Sequence, residues 1–332
     1  MKRLVEVICS ALIMAMLAIP AQATDFQALV DAAHAKFKDD DSGANADYIP
    51  ILTEVPSDLF GIAITLQDGT TYVAGDVDYL FSIQSVAKPF TMALVMEDQG
   101  VDAVKAKIGV EPTGMPFNSI VAIELNEKRS INPLVNAGAI AAVSMIDASN
   151  ERERWKKILR GYEAFAGQDL DILRDVYKSE AETNYRNRAI ANLLYNYDRL
   201  YSDPMEATTV YTKQGTVGVS ARILAMMGAT LANHGVNPKT GERVIREEYV
   251  DEVLAVMLMA GFYDEVGKWA FRAGLPAKTG VGGGIVAVIP GDMSIAAFSP
   301  RLNESGNSIR AMKAIQYISE QLKASRFLDQ GD

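Results

Sequence analysis

Phe81-Ser82-Ile83-Gln84-Ser85-Val86-Ala87-Lys88-Pro89-Phe90 decides how this 332-residue chain is read. The stretch holds the only Ser-x-x-Lys of the sequence, Ser85 to Lys88. Pro89 lacks an N–H, so it is tolerated only in the first turn of a helix, where amides have no intrahelical partner. The pattern therefore predicts a helix over about 85–98, stopped by Gly100, with Ser85 at its N-terminus. There the helix dipole favours developing negative charge. Residues three apart share a helix face, which puts Ser85 and Lys88 side by side. A residue before proline avoids the α region, so Lys88 is expected on a distorted turn. A serine hydroxyl needs a base before it can attack, and a lysine whose pKa is lowered by burial supplies one. Taken alone, the same pattern also describes an N-cap serine followed by a surface lysine.

Outward from this stretch the chain divides by pattern. Upstream, Phe26, Leu29, Val30 and Ala33 recur at helical spacing. His34 on that helix has a structural role, and Asp39-Asp40-Asp41 after it reads as a solvated loop. Residues 59–66 and 71–74 read as strands, joined by the hairpin signal Asp68-Gly69. Residues 101–266 read mostly as helices, the clearest over 137–147, 155–165, 180–195 and 219–233. Gly235 closes the last of these, and His234 at its end complements the dipole. Past Gly267 the pattern returns to strands, 284–290 and 294–299, turned by Gly291-Asp292, and a helix over 308–323 follows. The fold class is therefore α/β of the α+β kind. One antiparallel sheet is built from both ends of the chain, flanked by the terminal helices, with a helical lobe inserted. The sheet lobe is expected over about 24–84 and 267–332 and the helical lobe over about 85–266, together one domain over 24–332.

Residues 1–23 stand apart. Lys2 and Arg3 precede an apolar run over 7–20, and Ala21-Gln22-Ala23 is a small-x-small cleavage pattern. This is the layout of a secretory signal peptide. An uncleaved anchor is the alternative, although the run is short for spanning a bilayer. Cleavage sends the protein to the periplasm or beyond the cell, with no membrane attachment left. The composition, 49% hydrophobic and 22% charged, is that of an ordinary globular protein. A net charge of −10 argues against nucleic acid or anionic membrane surfaces as partners. The single cysteine, Cys9, lies in the leader, and two histidines, His34 and His234, give no metal-ligand spacing.

Further stretches set polar groups among small residues. Asn132-Pro133-Leu134-Val135-Asn136-Ala137-Gly138 places Asn136 either as a helix N-cap or as a site amide. Glu180 and Asn187 are seven apart, two helical turns, and so share one face of the helix expected over 180–195. Tyr211-Thr212-Lys213-Gln214 and Gly261-Phe262-Tyr263-Asp264 each offer a tyrosine in a polar, turn-like setting. Lys278-Thr279-Gly280 stands just before the strand over 284–290. Ser-x-x-Lys on a helix combined with Lys-Thr-Gly at a strand is the signature of serine β-lactamases and penicillin-binding proteins.

With these residues in view, the sequence resembles the serine-dependent glutaminase family, which shares the β-lactamase-like fold. The resemblance runs from about Tyr48 to Asn307, through ordered segments that include 81–90, 114–118, 132–140, 211–214, 261–264 and 275–284. It implies Ser85 as nucleophile and Lys88 as its base. It places glutamine contacts at Ser85, Asn136, Glu180, Asn187, Tyr211, Tyr263 and Val281, and a further active-site tyrosine at Tyr48. Three positions depart from the family pattern: Thr279 and Thr113 where serine is usual, and Gly215 where cysteine is usual.

The implied chemistry suits these residue types. Glu180 supplies an anion for the α-ammonium of glutamine, and Asn136, Asn187 and Tyr211 supply donors for its α-carboxylate. Attack by Ser85 on the γ-carboxamide makes an oxyanion for the N–H groups of Ser85 and Val281. Lys88 takes the serine proton, and Tyr263 or Lys88 passes one to the departing ammonia. Water then releases glutamate, with no metal or organic cofactor required. The resemblance also implies a homo-oligomer, dimer or tetramer. Two other readings stay open at this point: a glutamine-binding protein without turnover on the same fold, and a penicillin-interactive acyl-serine hydrolase.

Overall fold

The structure, a computed structural model, describes residues 24–325 and 327. The leader expected over 1–23 lies outside these residues. The fold is organised by a five-stranded antiparallel sheet of order β2-β1-β7-β6-β5. Its strands are β1 (Gly61–Leu66), β2 (Thr71–Gly75), β5 (Ala277–Thr279), β6 (Gly284–Ile289) and β7 (Met293–Phe298). Strand β1 turns back into β2, with Gly69 at φ +88° and the Asp68 carboxylate accepting the Thr70 N–H at 2.8 Å. Strand β7 then pairs with β1, Ala63 opposite Ala296, so both ends of the chain meet in one sheet.

Successive residues of a strand point to opposite faces, and here both faces are covered. Ile62 and Ile64 of β1, Ile285 and Ala287 of β6 and Ile295 of β7 face one core. That core is closed by α1 (Phe26–Phe37) and a C-terminal helix over Ile309–Leu322. Ala63, Val286, Val288, Ala296 and Phe298 face the other core, which is shared with the helical half of the chain. This double burial explains why Gly284–Ile289 and Met293–Phe298 read as continuous apolar runs.

The helical half contains α2 (Lys88–Gln99), α3 (Asn136–Met145), α4 (Glu151–Ala166), α5 (Arg174–Thr183), α6 (Tyr185–Asn196), α7 (Pro204–Gly215) and α8 (Ala221–Ala232). Helix α8 packs directly on β7 and β1. Gly228 permits that approach, since a Cβ there would lie 2.7 Å from Val286 Cγ2. Helix α2 is enclosed along most of its length, from Lys88 to Met96.

Five expectations need correction. The helix over 180–195 is two helices, α5 and α6, broken at Asn184. The Asn184 side chain donates to Thr212 Oγ1 at 2.9 Å, a tertiary bond that local pattern does not announce. Glu180 and Asn187 therefore lie on different helices. Residues 81–82 and 218–219 form a two-stranded sheet, β3 (Phe81–Ser82) with β4 (Gly218–Val219), and β4 lies inside what reads as helical sequence. Lys278-Thr279 is itself strand, at the sheet edge, rather than a lead-in to one. Tyr211 is not in a turn but on the buried face of α7. Finally, Asp40 is not simply solvated: its carboxylate accepts from Lys313 Nζ at 2.5 Å, which with the Ser42 hydroxyl lowers its pKa to about 2.

Candidate functional site

Ser85 sits where three constraints meet. The β3–β4 pair and the Ile83 N–H to Val217 O bond, 2.9 Å, anchor the chain just before it. A 3₁₀ turn over Gln84–Ala87 then leads into α2, with Pro89 in the helix's first turn. In a 3₁₀ turn residues i and i+3 eclipse, so the turn aligns Ser85 with Lys88. The expected distortion at Lys88 does not occur. Lys88 is in the right-handed helical region, and the strain falls on Gln84, at φ +48°. A non-glycine residue held there marks a site that its surroundings over-determine.

Lys88 is 1% exposed. Burial lowers its pKa to about 7, opposed by the negative charge of Glu180. Its Nζ donates to Asn136 Oδ1 at 2.8 Å. Asn136 opens α3 but is not its cap, which is Val135. Its carboxamide works tertiary contacts instead. Oδ1 also accepts the Tyr211 hydroxyl at 3.1 Å, and Nδ2 donates to Asn187 Oδ1 at 2.9 Å. Helices α2, α3, α6 and α7 thus converge on one amide.

Glu180 on α5 is also buried, and burial raises its pKa to about 7 against the opposing pull of Gln84 and Lys88. Gln84 Nε2 donates to Glu180 Oε2 at 2.9 Å. The break at Asn184 turns Asn187 on α6 toward the same pocket as Glu180. The two share a site although they do not share a helix.

The opposite wall comes from the sheet side. Tyr263 starts a 3₁₀ turn over Tyr263–Glu265 with φ +54°. Its hydroxyl is buried with no full hydrogen bond among the described residues. Burial raises its pKa strongly, and the Ser85 side chain works the other way. Lys278 Nζ lies 4.3 Å from the Tyr263 ring centroid and donates to the carbonyls of Gly261 and Thr279. Val281, just past β5, is 5% exposed and lines the pocket. Tyr48 is 53% exposed as a residue. Its hydroxyl is nonetheless enclosed: burial, then Tyr263, Glu180 and Tyr211, hold its pKa well above the ordinary tyrosine value.

One pocket, enclosing about 550 Å³ of free space with solvent at its mouth included, brings Ser85, Asn136, Glu180, Asn187, Tyr211, Val281 and Tyr48 together. Lys88 lies beneath Asn136, and Tyr263 contributes beside Ser85. Sequence reasoning missed Gln84, Phe117, Asn118 and Arg186 on the same walls. Gln84 carried a signal, a carboxamide adjoining the nucleophile candidate; Phe117 carried only its place in the 114–118 segment of the resemblance. Of the three departures, Gly215 and Thr113 are accommodated and Thr279, which is buried, is left with an unmet hydroxyl among the described residues. A Cβ on Gly215 would lie 3.8 Å from Gln84, and Thr113 Oγ1 accepts the Met115 N–H at 2.9 Å.

A helix-flanked antiparallel sheet with Ser-x-x-Lys at the helical seam and Lys-Thr-Gly on the adjoining edge strand defines a protein of the β-lactamase-like class. Comparison with known proteins narrows this. The family model described as Glutaminase matches residues 43–327, and the chain belongs to that family. A glutaminase of Colwellia psychrerythraea is 52% identical over 301 residues, covering 91% of this chain and 97% of that protein. One of Bordetella avium is 50% identical over 300 residues, covering 90% and 96%. Among solved structures, the probable glutaminase ybaS superposes with a TM-score of 0.90 at 49% identity, covering 91% of this chain and 98% of that one. The Bacillus subtilis glutaminase YbgJ, solved as a covalent complex with 5-oxo-L-norleucine, superposes at 0.80 with 29% identity, covering 91% and 98%.

Proposed function

We propose that this protein hydrolyses L-glutamine to L-glutamate and ammonia through a γ-glutamyl ester on Ser85, with Lys88 as base. The observation that carries this reading is Lys88 itself. It is fully enclosed and aligned with Ser85 across a 3₁₀ turn, and its pKa falls to about 7, so a neutral amine is available near neutrality. Asn136 fixes the amine by accepting a hydrogen bond from it.

The rest of the pocket fits an amino acid with a neutral amide side chain. Glu180, buried and ionised above about pH 7, meets the α-ammonium. The Asn136–Asn187–Tyr211 cluster meets the α-carboxylate. Substrate carboxylate oxygens would take over donors that now bond within the cluster. The γ-carbonyl then lies toward Ser85, whose own N–H is in a first helical turn and free of an intrahelical partner. The Val281 N–H is the second oxyanion donor. Attack moves the Ser85 proton to Lys88. Collapse of the tetrahedral intermediate breaks the C–N bond as Lys88 or Tyr263 protonates the leaving nitrogen. Water, deprotonated by the same base, cleaves the ester. Tyr48 closes the pocket's outer side.

By the same reading residues 1–23 are a cleaved leader, residues 24–332 form a single catalytic domain in the periplasm or outside the cell, and the protein assembles as a dimer or tetramer. The test is ammonia release from glutamine and asparagine in parallel by residues 24–332 and by Ser85→Ala. Release from glutamine that falls at least ~10³-fold in Ser85→Ala is expected. Equal release by both proteins would overturn the nucleophile assignment. Tight glutamine binding without any turnover would favour the binding-protein reading.

A further inference from the structure

Tyr263 is held in a costly conformation, and the means of holding it lies outside the pocket. Its φ of +54° belongs to a region that non-glycine residues rarely enter and that costs on the order of 1 kcal/mol. Two residues later, at the end of the same 3₁₀ turn, Glu265 points away from the pocket and into the loop over 303–307. Glu265 Oε2 accepts from Asn303 Nδ2 at 2.7 Å and from Asn307 Nδ2 at 2.8 Å. Its other oxygen accepts from Lys268 Nζ at 2.8 Å. Burial acts to raise the pKa of this carboxyl, but the hydrogen bonds from Lys268, Asn303 and Asn307 outweigh it and hold the group ionised.

The loop is itself knotted around Asn303. Its Oδ1 accepts the N–H groups of Ser305 and Asn307 at 3.1 and 3.0 Å, and its carbonyl accepts the Gly306 N–H at 2.9 Å. Gly306, at φ +87°, is thereby laid against the site. A Cβ there would lie 3.4 Å from Val281 Cγ1 and 3.6 Å from Tyr263 Cε2. The Tyr263 ring is packed on its other contacts by Phe117, centroids 4.5 Å apart, and by Lys278. Glu265 therefore ties the strained turn of Tyr263 to the loop that backs both Tyr263 and Val281.

We propose that Glu265 is a positioning residue, acting through Asn303, Asn307 and the Gly306 backbone to hold the Tyr263 hydroxyl beside Ser85. The inference rests on the reading of Tyr263 as a proton carrier in glutamine hydrolysis. The residues it joins are 38 and 42 positions apart, and none of Glu265, Asn303 and Asn307 lines the pocket around Ser85. Truncating Glu265 leaves Glu180, Asn136, Asn187 and Tyr211, the groups assigned to the α-ammonium and α-carboxylate, in place and frees the turn. The effect should fall on kcat and spare KM, because displacement of a reacting group by about 1 Å costs up to ~10²-fold in rate.

The experiment is a double-mutant cycle on the full enzyme with glutamine as substrate. Glu265→Ala is expected to lower kcat ~10–100-fold with KM within about threefold. Glu265→Gln keeps an acceptor oxygen for both asparagine amides and should recover most of the loss. In a Tyr263→Phe background Glu265→Ala should change kcat by less than ~2-fold, since coupled residues are not additive. The half-buried Asn303→Ala gives a smaller loss with the same dependence on Tyr263, and serves if Glu265→Ala folds poorly. Wild-type kcat in a folded Glu265→Ala enzyme, or a loss that simply multiplies with that of Tyr263→Phe, would overturn the proposal. Wild-type kcat in Tyr263→Phe alone would break the reading of Tyr263 and the proposal with it.

Discussion

The two sides of the sheet are built on opposite terms. On the far side, Ile62, Ile64, Ile285, Ile295, Ile315 and Trp269 bury apolar surface, and the one polar side-chain atom among them, the Trp269 Nε1–H, donates to Leu275 O at 2.7 Å. Where the helical half meets edge strand β5, the same depth of burial is given to Lys88, Lys278 and Glu180, and to the hydroxyls of Tyr263 and Thr279, which lack partners among the described residues. Both of the strained tyrosine and glutamine conformations are at this seam. Burying a charge is unfavourable unless it is matched. On the proposed mechanism the seam is a region where stability is given up for reactivity, and the far core is what compensates for it.

The difference is sharpest at Lys88. A lysine whose pKa falls from 10.5 to about 7 on folding destabilises the native state by on the order of 4 kcal/mol at neutral pH. The unfolded chain binds this proton up to about pH 10.5 and the folded chain releases it above about 7, so the contribution to stability rises with pH across that window. Lys88→Met should abolish glutamine hydrolysis, by at least ~10³-fold, while a thermal melt at pH 7 shows stability equal to or above wild type. The gain should shrink toward pH 10. A clear loss of stability at pH 7 would mean that the seam is not the strained region described here.

The converse substitution belongs to the far core. Ile64→Ala, at a fully buried position of β1, should cost about 2–5 kcal/mol in chemical denaturation. The folded enzyme should keep its kcat. A matching fall in kcat would show that the two regions are not separable.

A smaller effect concerns pH. On the proposed mechanism Lys88 loses a proton and Glu180 loses one before substrate is bound and attacked, and both pKa values lie at about 7. The acid limb of log kcat/KM against pH should accordingly be steeper than one, reporting the free enzyme. Glu180→Gln removes one of the two ionisations. It should raise KM about 10-fold, as expected for losing a hydrogen bond to a charged group, and reduce the limb to a slope of one. An unchanged KM would count against Glu180 at the α-ammonium.

Much of this was legible beforehand because it is local. The strand runs at 61–66, 284–289 and 293–298 carry their own apolar pattern, and Pro89 limits where α2 begins. Ser85 and Lys88 stand out through the spacing itself. What escaped is tertiary. Strand β5 is three residues long and gains its identity only by pairing with β6. The break at Asn184 follows from a bond to Thr212, 28 residues away. The positive φ of Gln84 and of Tyr263 cannot be inferred from residue types that ordinarily avoid it. Asn136 looked equally like a cap because its role is decided by Lys88, Asn187 and Tyr211, none of them a neighbour in sequence.

The most direct measurement is the site of covalent capture. YbgJ was solved bound to 5-oxo-L-norleucine after reaction with 6-diazo-5-oxo-L-norleucine. Incubating residues 24–332 with the same diazo compound, followed by intact-mass and peptide mass spectrometry, locates the nucleophile. The account predicts one adduct per chain, on Ser85, formed faster as pH rises through about 7 and absent from Ser85→Ala. An adduct on another residue, or full labelling of Ser85→Ala, would contradict it.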